Sequence, residues 1–388
     1  MGQIFSLTGI WMQLTATGWL IYTLTDSALA LGIFGFARFS PVLLFSLVGG
    51  VIADRYSKHG VLLFTQSVAM ILAFSLAVLT LTGAVEVWHI YLISFANGLV
   101  LAFDAPTRQS FFSEMVEKDD LMNAISLNSM AFNMARVIGP GIAGILVVTI
   151  GEGGCFLING FSFAGPLFAL TLMRKDELLR NEPDSEKRSI LDNLREGIAY
   201  VRSKRTILTI LTLIAASSIF AISYVSLMPI FARDILKIGA TGNGLLYSAA
   251  GAGALLGAIF MASIGNRIRK GLLFTFGNFA LPMSLIAFSL SRSVALSLVL
   301  LCFAGFGAVM QNASANTLLQ TISEERYRGR VMSLFTLVFI GMFPLGDMFE
   351  GTMAQLTSAP FAISLGASLC LIFALWAVSS RSEIRRHA

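Results

Sequence analysis

Long apolar runs recur along this chain with so little between them that a water-soluble fold is closed to it. Twelve stretches, from residues 3–22 to residues 359–380, run to between 20 and 29 residues each. That is the length an α-helix needs to cross the hydrocarbon core of a bilayer. Only 13% of the 388 residues are charged and 56% are hydrophobic, whereas about a quarter of a soluble domain is charged. The reading is therefore an all-α multi-pass membrane protein of twelve transmembrane helices. Prolines inside the runs, such as Pro41, Pro106, Pro140 and Pro344, do not argue against it, because neighbouring helices can satisfy the freed carbonyls.

The net charge of +5 would suggest nucleic acid if the basic residues were scattered. They are not: 22 of the 27 lysines and arginines fall at alternate connections or in the C-terminal tail. This is the distribution that places basic loops on the cytoplasmic side. It predicts a cytoplasmic C-terminus in a bacterial cytoplasmic (inner) membrane, with the lipid bilayer and no nucleic acid as partners. Met1 leads straight into the first apolar run without a basic lead-in, so no cleavable signal peptide is expected, and Met1 is a candidate internal start.

The longest polar segment divides six spans from six. We expect an N-terminal bundle over 1–173, a cytoplasmic linker over 174–205 and a C-terminal bundle with a short tail over 206–388. Ile190, Leu191, Leu194, Ile198 and Val201 share one face of the linker, which predicts an amphipathic helix at the membrane interface. The halves also echo each other. Ile52 to Lys58 is matched by Ile264 to Lys270 at an offset of 212, and Asp104-Ala105-Pro106 by Asn312-Ala313-Ser314 at an offset of 208. Two similar offsets argue for duplication, and two pseudo-symmetric six-helix halves are the expected architecture.

Between the second and third runs lies a short ionic hinge, Gly50-Val51-Ile52-Ala53-Asp54-Arg55-Tyr56-Ser57-Lys58. Its spacing resembles the loop 2–3 signature of the major facilitator superfamily of secondary transporters, with Ser57 and His59 where that family usually has a glycine and a second basic residue. Asp104-Ala105-Pro106-Thr107-Arg108-Gln109, Asn123 to Asn128, and Trp11-Met12-Gln13 with Gly18-Trp19 are similar to the enterobactin-exporter-like branch, among whose neighbours are macrolide-efflux proteins. Arg136-Val137-Ile138-Gly139-Pro140-Gly141-Ile142-Ala143-Gly144 resembles the Gly-Pro motif of helix 5 in drug and proton antiporters, though Met130 and Ala143 replace two of its glycines. The resemblance implies a conformational latch formed by Gly50, Asp54, Arg55, Lys58 and Arg108, in which Asp54 caps the start of helix 11.

A charge retained inside a span needs a partner, a water-filled cavity or a task. Arg38, Asp104, Arg136, Asp347 and Glu350 are the candidates for substrate or proton coupling. Arg38 and Arg136 would orient an anionic or polar group, with Asp104 as counter-ion; alternatively Asp104 simply pairs with Arg108 one turn on. Asp347 and Glu350 are three apart, so they share a helix face and could carry protons. Gly139, Gly141 and Gly144 give a face without side chains where another helix can approach closely, and Pro140 removes a donor, so this run is read as a helix-packing gate.

The expected function is export of an amphipathic small molecule, such as a siderophore or macrolide, by alternating access with proton antiport. The alternatives are a facilitator or flippase of a lipid-like substrate without protons, and a non-transporting receptor or scaffold. No enzyme is expected, because His59, His89 and His387 are far apart in sequence. Cys155, Cys302 and Cys370 lie in apolar runs without metal-ligand spacing, so neither metal nor cofactor is expected. No phosphate-binding loop of the nucleotide-driven pumps is present. A monomer is expected.

Overall fold

The computed structural model describes residues 2–173, 190–263 and 267–380, and every regular element among them is helical. The elements are α1 (Gly2–Thr25), α2 (Ala28–Arg55), α3 (Lys58–Leu81), α4 (Val87–Met115), α5 (Lys118–Ser162), α6 (Ala164–Leu172), α7 (Ile190–Ser203), α8 (Arg205–Phe220), α9 (Met228–Ile230), α10 (Gly239–Ser263), α11 (Lys270–Leu290), α12 (Val294–Ile322), α13 (Glu325–Gly341), α14 (Phe343–Leu356) and α15 (Ala359–Ser380). Eleven segments among them are long and apolar enough to span a membrane. The C-terminal tail, Asn266 of the second repeat and the first part of the linker lie outside the described residues. So do the side chain of Asp54 and those of residues 190–194.

Four spans differ from a simple reading of the runs. The fifth and sixth follow one another in a single 54-residue segment, Asp119–Leu172, instead of being parted by a loop. The break between them is Gly151, at φ 75° and ψ 172°, a conformation in which a side chain would be strained. The seventh span is not one continuous helix, because α8 stops at Phe220. Ala221 leaves helical geometry at φ −125°, a 3₁₀ stretch covers Ile222–Leu227, and a π stretch, Phe231–Ile235, follows α9. The eleventh span is divided at Met342, where Pro344 opens α14.

The hinge residues have local reasons to be where they are. Ser57 caps α3, its hydroxyl accepting from the Gly60 amide at 3.4 Å, so the serine that replaces the usual glycine satisfies one of the orphan donors of a helix start. Asp26 turns the chain between α1 and α2 at φ 50°, and the Ser27 hydroxyl accepts from the Ala30 amide at 3.2 Å. At the other end of α3, the amide of Glu86 donates to His89 Nδ1 at 3.0 Å, closing a capping box at the start of α4.

The chain forms two compact units. The first comprises Met1–Asp26, Ala37–Lys187 and Gly239–Ser248, and the second Ser27–Phe36, Arg188–Ile238 and Ala249–Ala388. In the first, α5 packs on α1 and α3, and α3 on α4. Small apolar clusters form the core, one around Leu62, Phe111 and Leu170 and another around Ala69, Ala73 and Phe163.

The second unit has a larger core, in which Ile207, Ile210, Ile214, Phe274, Leu318 and Val331 are buried. Helix α7 belongs to it. Tyr200 and Val201 are buried there, and the Tyr200 ring stacks on Tyr327 with centroids 4.3 Å apart. Three polar contacts hold the same helix: Arg330 Nη1 with Glu196 at 2.7 Å, Lys204 with Glu324 at 3.0 Å, and the Glu324 amide donating to the Tyr200 hydroxyl at 3.0 Å. The hydrogen bond to Glu324 raises the pKa of the exposed Lys204 ammonium above its ordinary value. Along α12 the main chains come close to their neighbours: a Cβ on Gly305 would land on the Ala250 carbonyl of α10, and one on Gly307 would lie 2.8 Å from the Leu281 amide of α11.

Candidate functional site

In the first unit, Asp104 is buried at 8% exposure and every acceptor position it has is used. Arg108 binds it with two nitrogens, at 2.8 and 3.0 Å to Oδ2. Thr65 Oγ1 and Gln66 Nε2 each donate to Oδ1 at 2.8 Å. Asp104 thus ties α4 to α3, and the pairing with Arg108 one turn on is observed. Neither Thr65 nor Gln66 was singled out from sequence, because their partner lies 38 or 39 residues away. Asp104→Ala is expected to lower stability by about 2 kcal/mol, since it strands three donors. A thermal-unfolding scan in detergent measures this, and Asp104→Asn should recover part of the loss.

Of the hinge residues, Lys58 pairs with Glu114 on α4, a partner the sequence reading missed. Arg108 is engaged by Asp104, and Arg55 is exposed. Gly50 has open space where a Cβ would stand. The neighbouring Gly49 does not, since a Cβ there would strike the Ala102 carbonyl of α4. The close approach of α2 to α4 therefore rests on Gly49 rather than Gly50.

Arg38 and Arg136 are half-buried. The Arg38 guanidinium lies 5.6 Å from the Phe39 ring centroid, and that of Arg136 lies 5.7 Å from the ring of Trp11 on α1. Trp11 in turn meets Phe132 edge-on at 5.7 Å. Arg136 ends a polar stripe on α5 formed by Ser126, Ser129 and Asn133 at spacings of three and four, while Leu127 and Met130 on the adjoining strip are 67% and 57% exposed. The 3-4-3 spacing of Ser126, Ser129, Asn133 and Arg136 was a signal available in the sequence.

The Gly-Pro run packs in two directions. A Cβ on Gly139 would stand 2.7 Å from Trp11 Cβ and 2.8 Å from the Thr8 carbonyl of α1. Gly141 and Gly144 face the first turns of α10: a Cβ on Gly144 would lie 2.9 Å from the carbonyls of Ala240 and Thr241, and Ser248 donates to the Val137 carbonyl at 2.7 Å.

In the second unit, Asp347 and Glu350 are both buried on α14, at 4% and 0% exposure. Ser226, in the 3₁₀ stretch, donates to Asp347 Oδ1 at 2.7 Å. The missing side chain of Gly35 makes room for the same carboxylate. Glu350 differs: neither of its carboxylate oxygens has a hydrogen-bond partner. An ionised carboxylate sealed away from donors costs several kcal/mol, a cost that a proton or a cation removes. Among the described residues no group of His, Cys, Asp and Glu is arranged to hold a metal ion by those side chains alone.

Stacked apolar spans, broken helices with carboxylates beside the breaks, and a short ionic hinge define a multi-pass carrier of the major facilitator fold, not an enzyme. A family model described as transmembrane secretion effector matches residues 1–387. The chain belongs to that family of major facilitator transporters. It is 22% identical over 386 residues to the staphyloferrin A transporter of Staphylococcus aureus, covering 97% of this chain and 94% of the relative. It is 26% identical to the enterobactin exporter EntS of Shigella flexneri, covering 84% of this chain and 77% of the relative. Among solved structures, a mutant of the nucleoside transporter NupG is similar with a TM-score of 0.79 at 12% identity, covering 97% of both chains. A bacterial homologue of the human lysosomal transporter Spinster is similar with a TM-score of 0.74 at 16% identity, covering 100% of this chain and 96% of the other. These likenesses establish the fold.

Proposed function

We propose that this carrier exports an amphipathic, oxygen-rich small molecule of the siderophore kind across a bacterial cytoplasmic membrane, by alternating access and in exchange for protons that bind at Glu350 and Asp347. The single observation that carries the coupling is Glu350, fully buried, with both carboxylate oxygens unpartnered. A group placed in this way exchanges charge with its surroundings only when the protein opens, which is the requirement for coupling. The names of two relatives, a staphyloferrin A transporter and an enterobactin exporter, support the substrate class.

On the substrate side, Arg136 is read as the contact for a carboxylate or catechol oxygen. The Trp11 and Phe132 rings beside it offer an apolar and π-rich surface, and Ser126, Ser129 and Asn133 offer polar contacts along the stripe. The paired hinge contacts of Lys58 and Arg108 are read as parts of a cytoplasmic latch.

The test is flux in liposomes under an imposed pH gradient, with a catecholate siderophore, a hydroxycarboxylate siderophore, a macrolide and a lysophospholipid as separate arms. Siderophore flux that follows the pH gradient is the expected result. Lysophospholipid movement indifferent to pH would replace this reading with that of a flippase. Arg136→Ala should weaken siderophore binding roughly tenfold or more, the worth of one charge-assisted hydrogen bond. Arg136→Lys should recover only part, because the planar face over Trp11 is lost. Titration of the purified variants with the siderophore measures both.

A further inference from the structure

The two units repeat one another closely, and one pair of equivalent surfaces differs in chemistry. Helices α4 and α12 are both 29 residues long and begin at Val87 and Val294, an offset of 207. The N-caps that follow keep it, Glu117 before α5 and Glu324 before α13. So do the close approaches of the backbone. A Cβ on Gly139 would stand 2.8 Å from the Thr8 carbonyl of α1, and one on Gly346 would stand 2.7 Å from the Ile219 carbonyl of α8. A Cβ on Gly144 would stand 2.9 Å from the Ala240 carbonyl of α10, and one on Gly351 would stand 3.0 Å from the Ala28 carbonyl of α2. This register is one residue short of the 208 read from the sequence, so the buried Gln311, not Asn312, answers to Asp104. Positions 207 apart in these helices therefore hold the same place, each in its own unit.

On that register Ser126, Ser129, Asn133 and Arg136 of α5 answer to Ser333, Thr336, Ile340 and Phe343. Exposure agrees member by member, the first two exposed and the last two half-buried in both stripes. Chemistry agrees only at the first two. Where the first unit carries an amide and a guanidinium, the second carries a branched hydrocarbon and a phenyl ring. The aromatic neighbour is repeated as well: Phe132, which meets Trp11 beside Arg136, answers to Phe339, which meets Phe343 edge-on at 5.5 Å. The carboxylates that the first unit lacks, with Pro140 and Ala143 at the positions of Asp347 and Glu350, are buried, so the second stripe carries no charge. A guanidinium inside a span is not left to lipid, which makes the α5 stripe a surface for water or a ligand. An apolar surface at the same place in the second unit suits the apolar part of a ligand, since small-molecule sites combine apolar walls with a few placed polar groups.

We propose that Ile340 and Phe343 are specificity-determining residues that take the uncharged, apolar part of the transported molecule. The inference rests on the reading of the α5 stripe as a substrate contact and deepens it. The repeat has kept the surface and exchanged its chemistry, so the first unit selects for oxygen atoms and the second for ring or hydrocarbon surface.

The experiment titrates the full-length protein, purified in detergent, with three ligands separately. A catecholate siderophore and a macrolide present apolar surface, and a ringless hydroxycarboxylate siderophore presents little. Phe343→Ala should weaken the first two about tenfold, the worth of a good aromatic contact, and the third by less than about twofold. Phe343→Leu keeps the apolar character and most of the volume, so it should recover most of the loss for the macrolide; thermal unfolding of each variant checks that it folds. Ile340→Asn with Phe343→Arg copies the first stripe and should reverse the preference in favour of the hydroxycarboxylate. An equal loss for all three ligands in Phe343→Ala and in Phe343→Leu would overturn the proposal, as would unaltered binding of the catecholate and the macrolide by folded Phe343→Ala. Siderophore binding that responds to Arg136→Ala but not to Phe343→Ala removes the apolar contact and leaves the transport reading standing. Binding of the macrolide alone, weakened by Phe343→Ala, does the reverse for the siderophore reading, and binding of none of the three removes both.

Discussion

Export against a concentration gradient is expected to collapse in Glu350→Gln, while downhill exchange of substrate continues. Glutamine has the shape of glutamic acid but takes up no proton in the physiological range, so the substitution removes the titration and little else. The magnitude follows from the gradient. Each proton exchanged across one pH unit supplies about 1.4 kcal/mol, enough for a tenfold substrate ratio. The steady-state accumulation ratio in inverted membrane vesicles should therefore fall from about tenfold per pH unit to unity. The second carboxylate should behave differently. Asp347→Asn leaves an amide oxygen to accept from Ser226 but makes that acceptor neutral and weaker, so it should lower stability as well as coupling. Accumulation that still tracks the pH gradient in Glu350→Gln would exclude this residue from the proton path.

The other large effect belongs to Gly139→Leu, which should abolish transport in every assay. The first added carbon would lie 2.7 Å from Trp11 Cβ and 2.8 Å from the Thr8 carbonyl. Both are fixed parts of α1, not the yielding ends of flexible side chains. The helices would have to separate, and separating α1 from α5 also moves Trp11 away from Phe132 and Arg136. Overpacking of this sort costs about 1–3 kcal/mol for a single methylene group and more for a leucine. Gly139→Ala should therefore show an intermediate loss. Gly329 gives the control, because nothing lies within 4 Å of a Cβ there; Gly329→Ala in α13 should be neutral or slightly stabilising. Flux in liposomes and thermal unfolding of the same preparations decide the matter. Full activity in Gly139→Leu would mean that α1 and α5 do not need to touch.

Much of the fold could be read from the chain because the bilayer imposes one simple rule, a run of about twenty apolar residues per crossing. That rule finds α1 to α4 and α10 to α12 directly. It says nothing about backbone geometry inside a run, which is why the break at Ala221 escaped it. The stretch Ile219-Phe220-Ala221-Ile222 has no glycine or proline to mark it. A faint signal was present: Pro229 cannot donate to the carbonyl four residues back, and Ser217, Ser218, Ser223 and Ser226 cluster just before it. The glycine at 151 was a clearer marker, yet the two spans it separates remain continuous.

For the site, the sequence identified which charges lay inside spans but not what each one touched. Asp104 and Glu350 look alike as single acidic residues in apolar surroundings. The structure gives Asp104 four donor atoms from three residues and Glu350 none. That difference depends on Thr65 and Gln66 standing opposite Asp104, and on Gly366 and Phe220 standing beside Glu350. Such juxtapositions arise only when helices distant in sequence are packed, so no spacing rule within one helix could supply them.

The backbone contacts of α12 with α10 and α11 have a mechanical consequence. Where Gly305 lies under the Ala250 carbonyl and Gly307 against the Leu281 amide, backbone meets backbone, and between and beside those contacts Phe306 packs against Phe260 of α10 and Phe276 of α11 while Gln311 donates to Asn278 of α11. Those side chains key α12 to both neighbours, so α11, α12 and residues 249–263 of α10 resist sliding past one another, as does the core that Phe274 of α11 and Leu318 of α12 share.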